Sequence, residues 1–563
     1  MGTLDLPKLT RGRPHRAKAK ELPTVCFRIR LVGPEDTLTP QRTRSVCSLL
    51  DARTKATPDA PAISFRSGEF TYEQVQRASV IAACRLLAAG VGPGDRVGIL
   101  LRDACEPYVT TGLGAIRLGA IVVPINARNK IRELQYVIGH SGLRLLLTEA
   151  EFMPLLDELE IEHEVRVVDV AGDPGYEAGG ETADEARVAE LEAANSPETP
   201  ALLLYTSGTT ANPKGCLHTH STMLATGRNT SGRLELTPAD RYWTALAMFH
   251  VGGWQVLMSN FTAGSCFSHA GIFDATAALD QLERERVTVA MPAFELIWMG
   301  VLNHERYPTA DLSALRTVMN VGVPERMARM QEMVPQAVQI SMIGMTECLG
   351  SICMGSRHDS EHSRMHTAGR PLPGMEVRIV DPATGEDLPR NTPGELLFRG
   401  VSTFIEYYRD PDTTAAVVDA DGWVRTGDVA LQDEEDCVSF VSRLKDMLKV
   451  GGENASAAEI EGYLITHPAV AMAAVVAAPD ERYGEVAAAF VQLRPGAEAT
   501  EQELIEYCVG RIATFKVPRY VRFVDEYPTA ASAKIQKYVL REQIATELRE
   551  RGISEAPKIV SRR

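Results

Sequence analysis

From residue 44 onward the chain alternates short apolar runs with longer segments of helical spacing. That alternation constrains the fold more than any other feature of the sequence. Residues 46–56 read as a helix, 62–65 as a short strand, and 72–89 as a helix that stops at Gly90. A Gly-Pro-Gly turn leads into a buried strand at 95–101, and then come a helix at 107–118, a strand at 121–124, a helix at 133–141 and a strand at 143–147. Strands separated by helix-length segments predict a parallel sheet covered by helices. Residues 172–200 are acidic and rich in Gly, Ala and Glu, and read as a surface excursion. A second wave of α/β alternation runs from 201 to about 342. After Thr367 short strands and turns take over, at 376–380, 394–399, 423–427 and 438–441, which predicts a small β-rich subdomain. From Asp446 a helix at 458–466, strands at 470–477 and 487–493 and a helix at 501–511 predict a small α+β domain.

Composition removes several function classes. The 563 residues suit three to four folding units. The net charge of −15 argues against a nucleic-acid clamp, because a phosphate backbone wants a basic face. No apolar run approaches the ~18 residues needed to span a bilayer, so no integral membrane segment is expected. None of the 10 cysteines forms a C-x-x-C pair, so zinc and disulfide frameworks are not expected, and reduced thiols in the cytoplasm are. Residues 1–41 carry Lys8, Arg11, Arg13, Arg16, Lys18 and Lys20 with no apolar stretch behind them, and read as a flexible basic tail rather than a secretory signal. No internal repeat is visible.

The chemistry-bearing features begin with a predicted strand at 201–205 that runs into Thr206-Ser207-Gly208-Thr209-Thr210, then Ala211-Asn-Pro-Lys214-Gly, then a helix from about Ser221. A turn of this kind offers backbone N–H groups and hydroxyls to a polyphosphate, and Lys214 adds a positive charge. The spacing is not that of a Walker loop. By composition alone, a hydroxyl-rich surface loop with a solvent lysine is an equal reading. The full string Tyr205-Thr-Ser-Gly-Thr-Thr-Ala-Asn-Pro-Lys-Gly215 resembles the signature loop of the adenylate-forming (AMP-binding) superfamily, of the acyl- and aryl-coenzyme A synthetase type. Further matches follow in the family's order to the C-terminus. The resemblance implies an α/β protein with a large N-terminal domain, 42–444, of two stacked α/β subdomains plus a small β subdomain. A small mobile α+β C-terminal domain, 445–563, would turn about Lys445.

The same resemblance assigns expected roles. Leu246-Ala-Met-Phe-His250 matches the motif whose histidine lies beside the substrate carboxylate, with Ala247 where proline is usual, so a looser loop is expected. No aspartate follows between 246 and 261, which argues against an α-amino acid substrate. Gly344-Met345-Thr346-Glu347 resembles the adenine and magnesium motif, with Glu347 as the Mg²⁺ ligand, since a hard cation wants oxygen. Ile343 replaces the common aromatic before it, so apolar contact is expected in place of stacking on adenine. Gly322 lies in Val321-Gly-Val-Pro, which resembles the other adenine wall. Asp428 in Thr-Gly-Asp and Arg443 suit ribose recognition. Lys449, Gly451 and Gly452, in Lys-Val-Gly-Gly-Glu-Asn454, resemble the thioester-forming loop. There Glu453-Asn454 with Ser456 is weakly similar to carnitine-type ligases. Lys534 matches the catalytic lysine, with Ala530 and Ala533 in place of threonine and glycine, and Lys537 reads as a solvated charge.

The implied reaction consumes ATP·Mg²⁺, a carboxylic acid and coenzyme A. Lys534, Glu347 and residues 206–214 would stabilise charge as the acyl-AMP forms, and the loop around Gly451 would then serve thioester formation. The pocket candidates His250, Gly252, Trp254, Val321, Gly322, Met345 and Leu349 are mostly apolar and favour an aliphatic, alicyclic or aromatic monocarboxylate. Loading of a carrier protein, and an acyl-nucleotide-binding regulator without turnover, are the alternatives. A homodimer is compatible with the reading.

Overall fold

The protein is described as a computed structural model of residues 44–169, 184–206, 212–322, 324–451, 453–529 and 535–559. The helix Val46–Ala56 begins where Ser45 and Ser48 exchange a reciprocal cap, which satisfies backbone donors the helix itself cannot use. Five strands form a parallel core in the order Pro200–Tyr205, Ile121–Pro124, Arg96–Leu100, Leu145–Thr148, Arg166–Asp169. Ile121–Pro124 and Leu145–Thr148 are buried along their whole length, as expected of parallel strands covered on both faces. Gly215–Thr219 and Glu406–Tyr407 extend this sheet in antiparallel fashion on one edge.

The second seven-stranded sheet runs Val338–Ile340, Thr317–Val321, Val289–Phe294, Arg241–Thr244, Cys266–His269, Pro61–Phe65, Gly68–Thr71. Its membership corrects the sequential reading. Pro61–Phe65, expected beside the strands that follow it, instead pairs in parallel with Cys266–His269. Pro61–Phe65 turns straight back into Gly68–Thr71 on one side, and on the other Phe65 packs edge-on against the distant Phe267 at 6.0 Å. Helices His220–Arg233 and Val251–Ala263 pack on each other, and the second is buried from Val251 to Phe261. Its polar members Gln255, Ser259 and Asn260 are buried as well, each donating a hydrogen bond, as a helix enclosed by protein requires. The crossing depends on Gly227, where a Cβ would lie 2.6 Å from the Met258 carbonyl oxygen.

The acidic segment is not purely a surface excursion. Its described part contains the helix Glu185–Ala193, which buries Val188 and Leu191. Glu192 reaches the wholly buried Arg117 at 2.5 Å, and Arg117 also grips Asp51 at 2.7 Å and Ser79 at 3.0 Å. A buried guanidinium needs such partners to offset its lost hydration.

A four-stranded antiparallel sheet, Met375–Val380, Gly394–Gly400, Val424–Gln432 and Val438–Arg443, forms the β subdomain. One short 3-10 turn, Leu444–Asp446, connects it to the C-terminal sheet. That sheet is built from Glu453–Ser456, Met447–Val450, Gly484–Leu493 and Val470–Asp480, with Tyr520–Phe523 added in parallel. Its apolar core, from Leu448 to Ala556, is separate from the main one. The helix expected over 501–511 ends at Cys508, because Val509 is extended and Gly510 takes φ +75°. Lys537 is not solvated as expected: it pairs with Glu461 at 2.6 Å, and both are largely buried. The architecture is therefore a large N-terminal domain of two α/β subdomains and a β subdomain, with a small α+β C-terminal domain.

Candidate active site

The phosphate-loop candidate sits at the mouth of a hairpin. Tyr205 faces Gly215 in register, and the Thr206 N–H donates to the Lys214 carbonyl oxygen at 2.9 Å. The chain then returns as the strand Gly215–Thr219, where a helix alone was expected, and Thr219 caps the helix His220–Arg233. The short apolar-polar string 215–219 carries too little periodicity to announce a strand. The Thr206 hydroxyl is buried with no partner among the described residues. A buried donor of that kind is costly unless a ligand or neighbouring loop satisfies it. Ser207, Gly208, Thr209, Thr210 and Ala211 lie outside the described residues, as do Gly452, Ala530, Ala533 and Lys534.

Lys214 and Glu347 meet on one tyrosine. The Lys214 ammonium donates to the Tyr407 hydroxyl oxygen at 3.1 Å and lies 4.2 Å above its ring. The Tyr407 O–H donates in turn to Glu347 Oε1 at 2.5 Å. Glu347 is buried, at 5% exposure. Burial first, and then the Glu347 carboxylate, push the Tyr407 phenol far above its ordinary pKa, so it remains a donor.

The turn that carries Glu347 is tight. Met342–Met345 pairs with Gly350–Met354, and Leu349 and Gly350 take positive φ. At Gly344 a Cβ would fall 1.7 Å from the Gly350 carbonyl oxygen, so only glycine fits. Met345 and Cys348 close the turn through the cysteine sulfur. Two further contacts lock it: the Phe404 N–H donates to the Glu347 carbonyl at 2.8 Å, and His218 Nε2 donates to the Thr346 carbonyl at 2.9 Å. Burial lowers the His218 pKa to about 4, which keeps the ring neutral. Ile343, expected against adenine, is buried in the main core.

His250 caps the helix Val251–Ala263, its Nδ1 accepting from the Gly252 N–H at 3.2 Å, and its ring meets Phe294 edge-on. In the preceding loop the His250 N–H donates to the Ala247 carbonyl at 2.9 Å. Leu246 lies over Gly252, where a Cβ would come within 2.2 Å of its Cδ1. Trp254, a pocket candidate, is wholly buried and packs on Gly112, and Leu349, another candidate, is wholly buried in the same main core. Val321 and Gly322 are exposed at the end of a second-sheet strand.

Asp428 and Arg443 face each other in register on neighbouring strands, with Arg443 Nε 2.6 Å from Asp428 Oδ1. The Asp428 N–H donates to Thr426 Oγ1, whose hydroxyl donates to the Leu396 carbonyl. Lys449 and Gly451 stand apart from these groups. Both are exposed on the C-terminal sheet, where Lys449 N donates to Glu485 at 2.9 Å and Gly451 N to the Tyr483 carbonyl at 2.8 Å.

Residues 50–408 match the AMP-binding enzyme family, and residues 459–534 match the AMP-binding enzyme C-terminal domain. The chain belongs to the AMP-binding enzyme family. It is 34% identical to the 3-(7a-methyl-1,5-dioxo-octahydro-1H-inden-4-yl)propanoyl:CoA ligase of Mycobacterium tuberculosis, over 89% of this chain and 99% of that protein. It is 32% identical to 4-coumarate–CoA ligase 3 of Oryza sativa, over 86% of this chain and 89% of that protein. The crystal structure of the anthranilate CoA ligase AuaEII with anthranoyl-AMP superposes with a TM-score of 0.82 at 26% identity, covering 90% of this chain and 98% of that one.

Within this AMP-binding enzyme, sequence reasoning missed Tyr407 and His218. Tyr407 lies 60 residues from Glu347 in the chain, and its role depends on a two-residue edge strand. Its only signal was an aromatic pair in a loop. His218 sits in the strand that was not anticipated.

Proposed function

We propose that this protein is an AMP-forming carboxylic acid–coenzyme A ligase. The observation that carries the reading is the Lys214–Tyr407–Glu347 chain, with the buried Thr206 hydroxyl, which has no partner among the described residues, in the strand end that pairs with Lys214. A cation, a hydroxyl and a carboxylate are the groups that a polyphosphate and its metal ion would call for. The similarity to coenzyme A ligases supports it.

In the first half-reaction a carboxylate oxygen of the acid attacks the α-phosphorus of ATP. The bond to the bridging oxygen breaks, leaving acyl-AMP and pyrophosphate. The acid needs no general base, because a carboxylate is ionised at neutral pH. Lys214, Thr206 and Lys534 would stabilise negative charge on the phosphates, with Thr346 beside them. Glu347 fits Mg²⁺ as a buried carboxylate oxygen donor, and the ion, when bound, would neutralise phosphate charge. Asp428 would accept ribose hydroxyls, held in place by Arg443. Gly322, Gly344 and Met345 would border the adenine, and His250 the acid's carboxylate.

In the second half-reaction the thiol of coenzyme A attacks the acyl carbon. A C–S bond forms, AMP leaves and a proton is released. Lys449, Gly451 and Gly452 would serve this step after the C-terminal domain, 445–563, turns about Lys445. The pocket candidates named from the sequence are mostly apolar, which favours an aliphatic, alicyclic or aromatic monocarboxylate.

The test is to incubate the protein with ATP, Mg²⁺, coenzyme A and a pooled set of carboxylic acids, and to read the products by mass spectrometry. A thioester together with AMP is expected. Acyl-AMP without thioester would redirect the acceptor to a carrier protein. ATP binding with neither product would overturn the ligase reading.

A further inference from the structure

One strap, residues 404–408, bridges the segment that carries Lys214 and the turn that carries Glu347. The Ile405 N–H donates to the Leu217 carbonyl and the Tyr408 N–H to the Gly215 carbonyl, both at 2.8 Å, so the strap is an edge strand on the hairpin that carries Lys214. The Phe404 N–H donates to the Glu347 carbonyl at 2.8 Å, so the same strap also holds the turn that carries Glu347. Tyr407 lies between these anchors. Its ring packs edge-on against Phe404 at 5.0 Å, and its hydroxyl accepts from Lys214 and donates to Glu347. Among the described residues Lys214 and Glu347 form no direct ion pair.

We propose that Tyr407 is a positioning residue that keeps the Lys214 ammonium and the Glu347 carboxylate apart, so that each stays available to ATP·Mg²⁺. The inference rests on the adenylation reading above. Two opposite charges in a poorly hydrated site attract strongly. Without a spacer they would pair with each other, and ATP·Mg²⁺ would have to break that pair to use either one. The phenol prevents the collapse at little cost, because one O–H satisfies the carboxylate and one lone pair satisfies the ammonium. The ring below Lys214 adds a second hold on the ammonium that needs no anion.

The test is ATP binding by titration calorimetry, without carboxylic acid or coenzyme A, with and without Mg²⁺. The quantity read is the Mg²⁺ gain, the ratio of the two dissociation constants. It is measured for the natural protein, Tyr407→Phe, Lys214→Met and the double variant. Tyr407→Phe keeps the ring and its packing, and should shrink the gain about fivefold or more with an unchanged melting temperature. In the Lys214→Met background the same change should leave the gain within twofold, since no ammonium remains to collapse onto Glu347. A merely structural tyrosine would reduce the gain equally in both backgrounds, and that result overturns the proposal. An unchanged gain in Tyr407→Phe overturns it too, and leaves the adenylation reading standing. Absence of any gain in the natural protein overturns the adenylation reading and this inference with it.

Discussion

The Lys214–Tyr407–Glu347 cluster and the tip around Gly451 are built in opposite ways. The cluster is buried, and three chain segments distant in sequence converge on it through hydrogen bonds. The tip is an exposed hairpin end, and its bonds go to neighbours in the C-terminal sheet, Tyr483 and Glu485. Charge stabilisation during phosphoryl chemistry requires fixed groups shielded from water. A loop that receives a thiol needs an open approach and a backbone without bulk. On the proposed reading the difference answers those two demands, and damage to the two regions should then separate cleanly by half-reaction.

The strongest break is Glu347→Gln. It should slow acyl-AMP formation by about 10²–10³, while thioester formation from supplied acyl-AMP stays within a few-fold. Pyrophosphate release and single-turnover thiolysis measure the two halves, and equal loss in both would erase the distinction. Next is Gly344→Ala, because the added methyl would sit 1.7 Å from the Gly350 carbonyl. Overpacking of this kind costs up to about 3 kcal/mol, read as a shift of the urea midpoint.

Acid should weaken the buried side more than the exposed one. His218, His220 and His269 are buried and their pKa values fall to about 4 from 6.5. The unfolded chain therefore binds more protons between those values, and stability drops as pH falls through that window. At pH 5 each histidine costs about 2 kcal/mol. His218→Gln should remove about that much of the difference in unfolding free energy between pH 7 and pH 5. The smallest effect sharpens the other side. Gly451 takes φ +60°, so Gly451→Ala costs about 1 kcal/mol locally. It should slow thiolysis roughly fivefold and leave acyl-AMP formation unchanged.

The alternation of apolar runs and helical spacing made the two α/β subdomains legible, because parallel strands must be apolar throughout. The helix Val46–Ala56 was readable to the residue, and the structure adds the Ser45–Ser48 cap that starts it. Which sheet each strand joins was not readable: Pro61–Phe65 is assigned by its pairing with Cys266–His269, some 200 positions away. The return strand Gly215–Thr219 was missed because five residues carry no clear period. Glu347, Asp428 and Arg443 could be singled out in the sequence because their neighbours in sequence mark them. Tyr407 was not, because it acts through pairing that only the folded chain creates. The pairing of Asp428 with Arg443 was legible as two separate motifs, but not as one ion pair.

The central claim is that the acid's own carboxylate attacks the α-phosphorus. The most direct measurement uses an acid found to react, labelled with ¹⁸O in its carboxylate, together with ATP and coenzyme A. Mass spectrometry of the products should show one ¹⁸O in AMP and none in pyrophosphate. Label in inorganic phosphate, with ADP as the nucleotide product, would contradict the account.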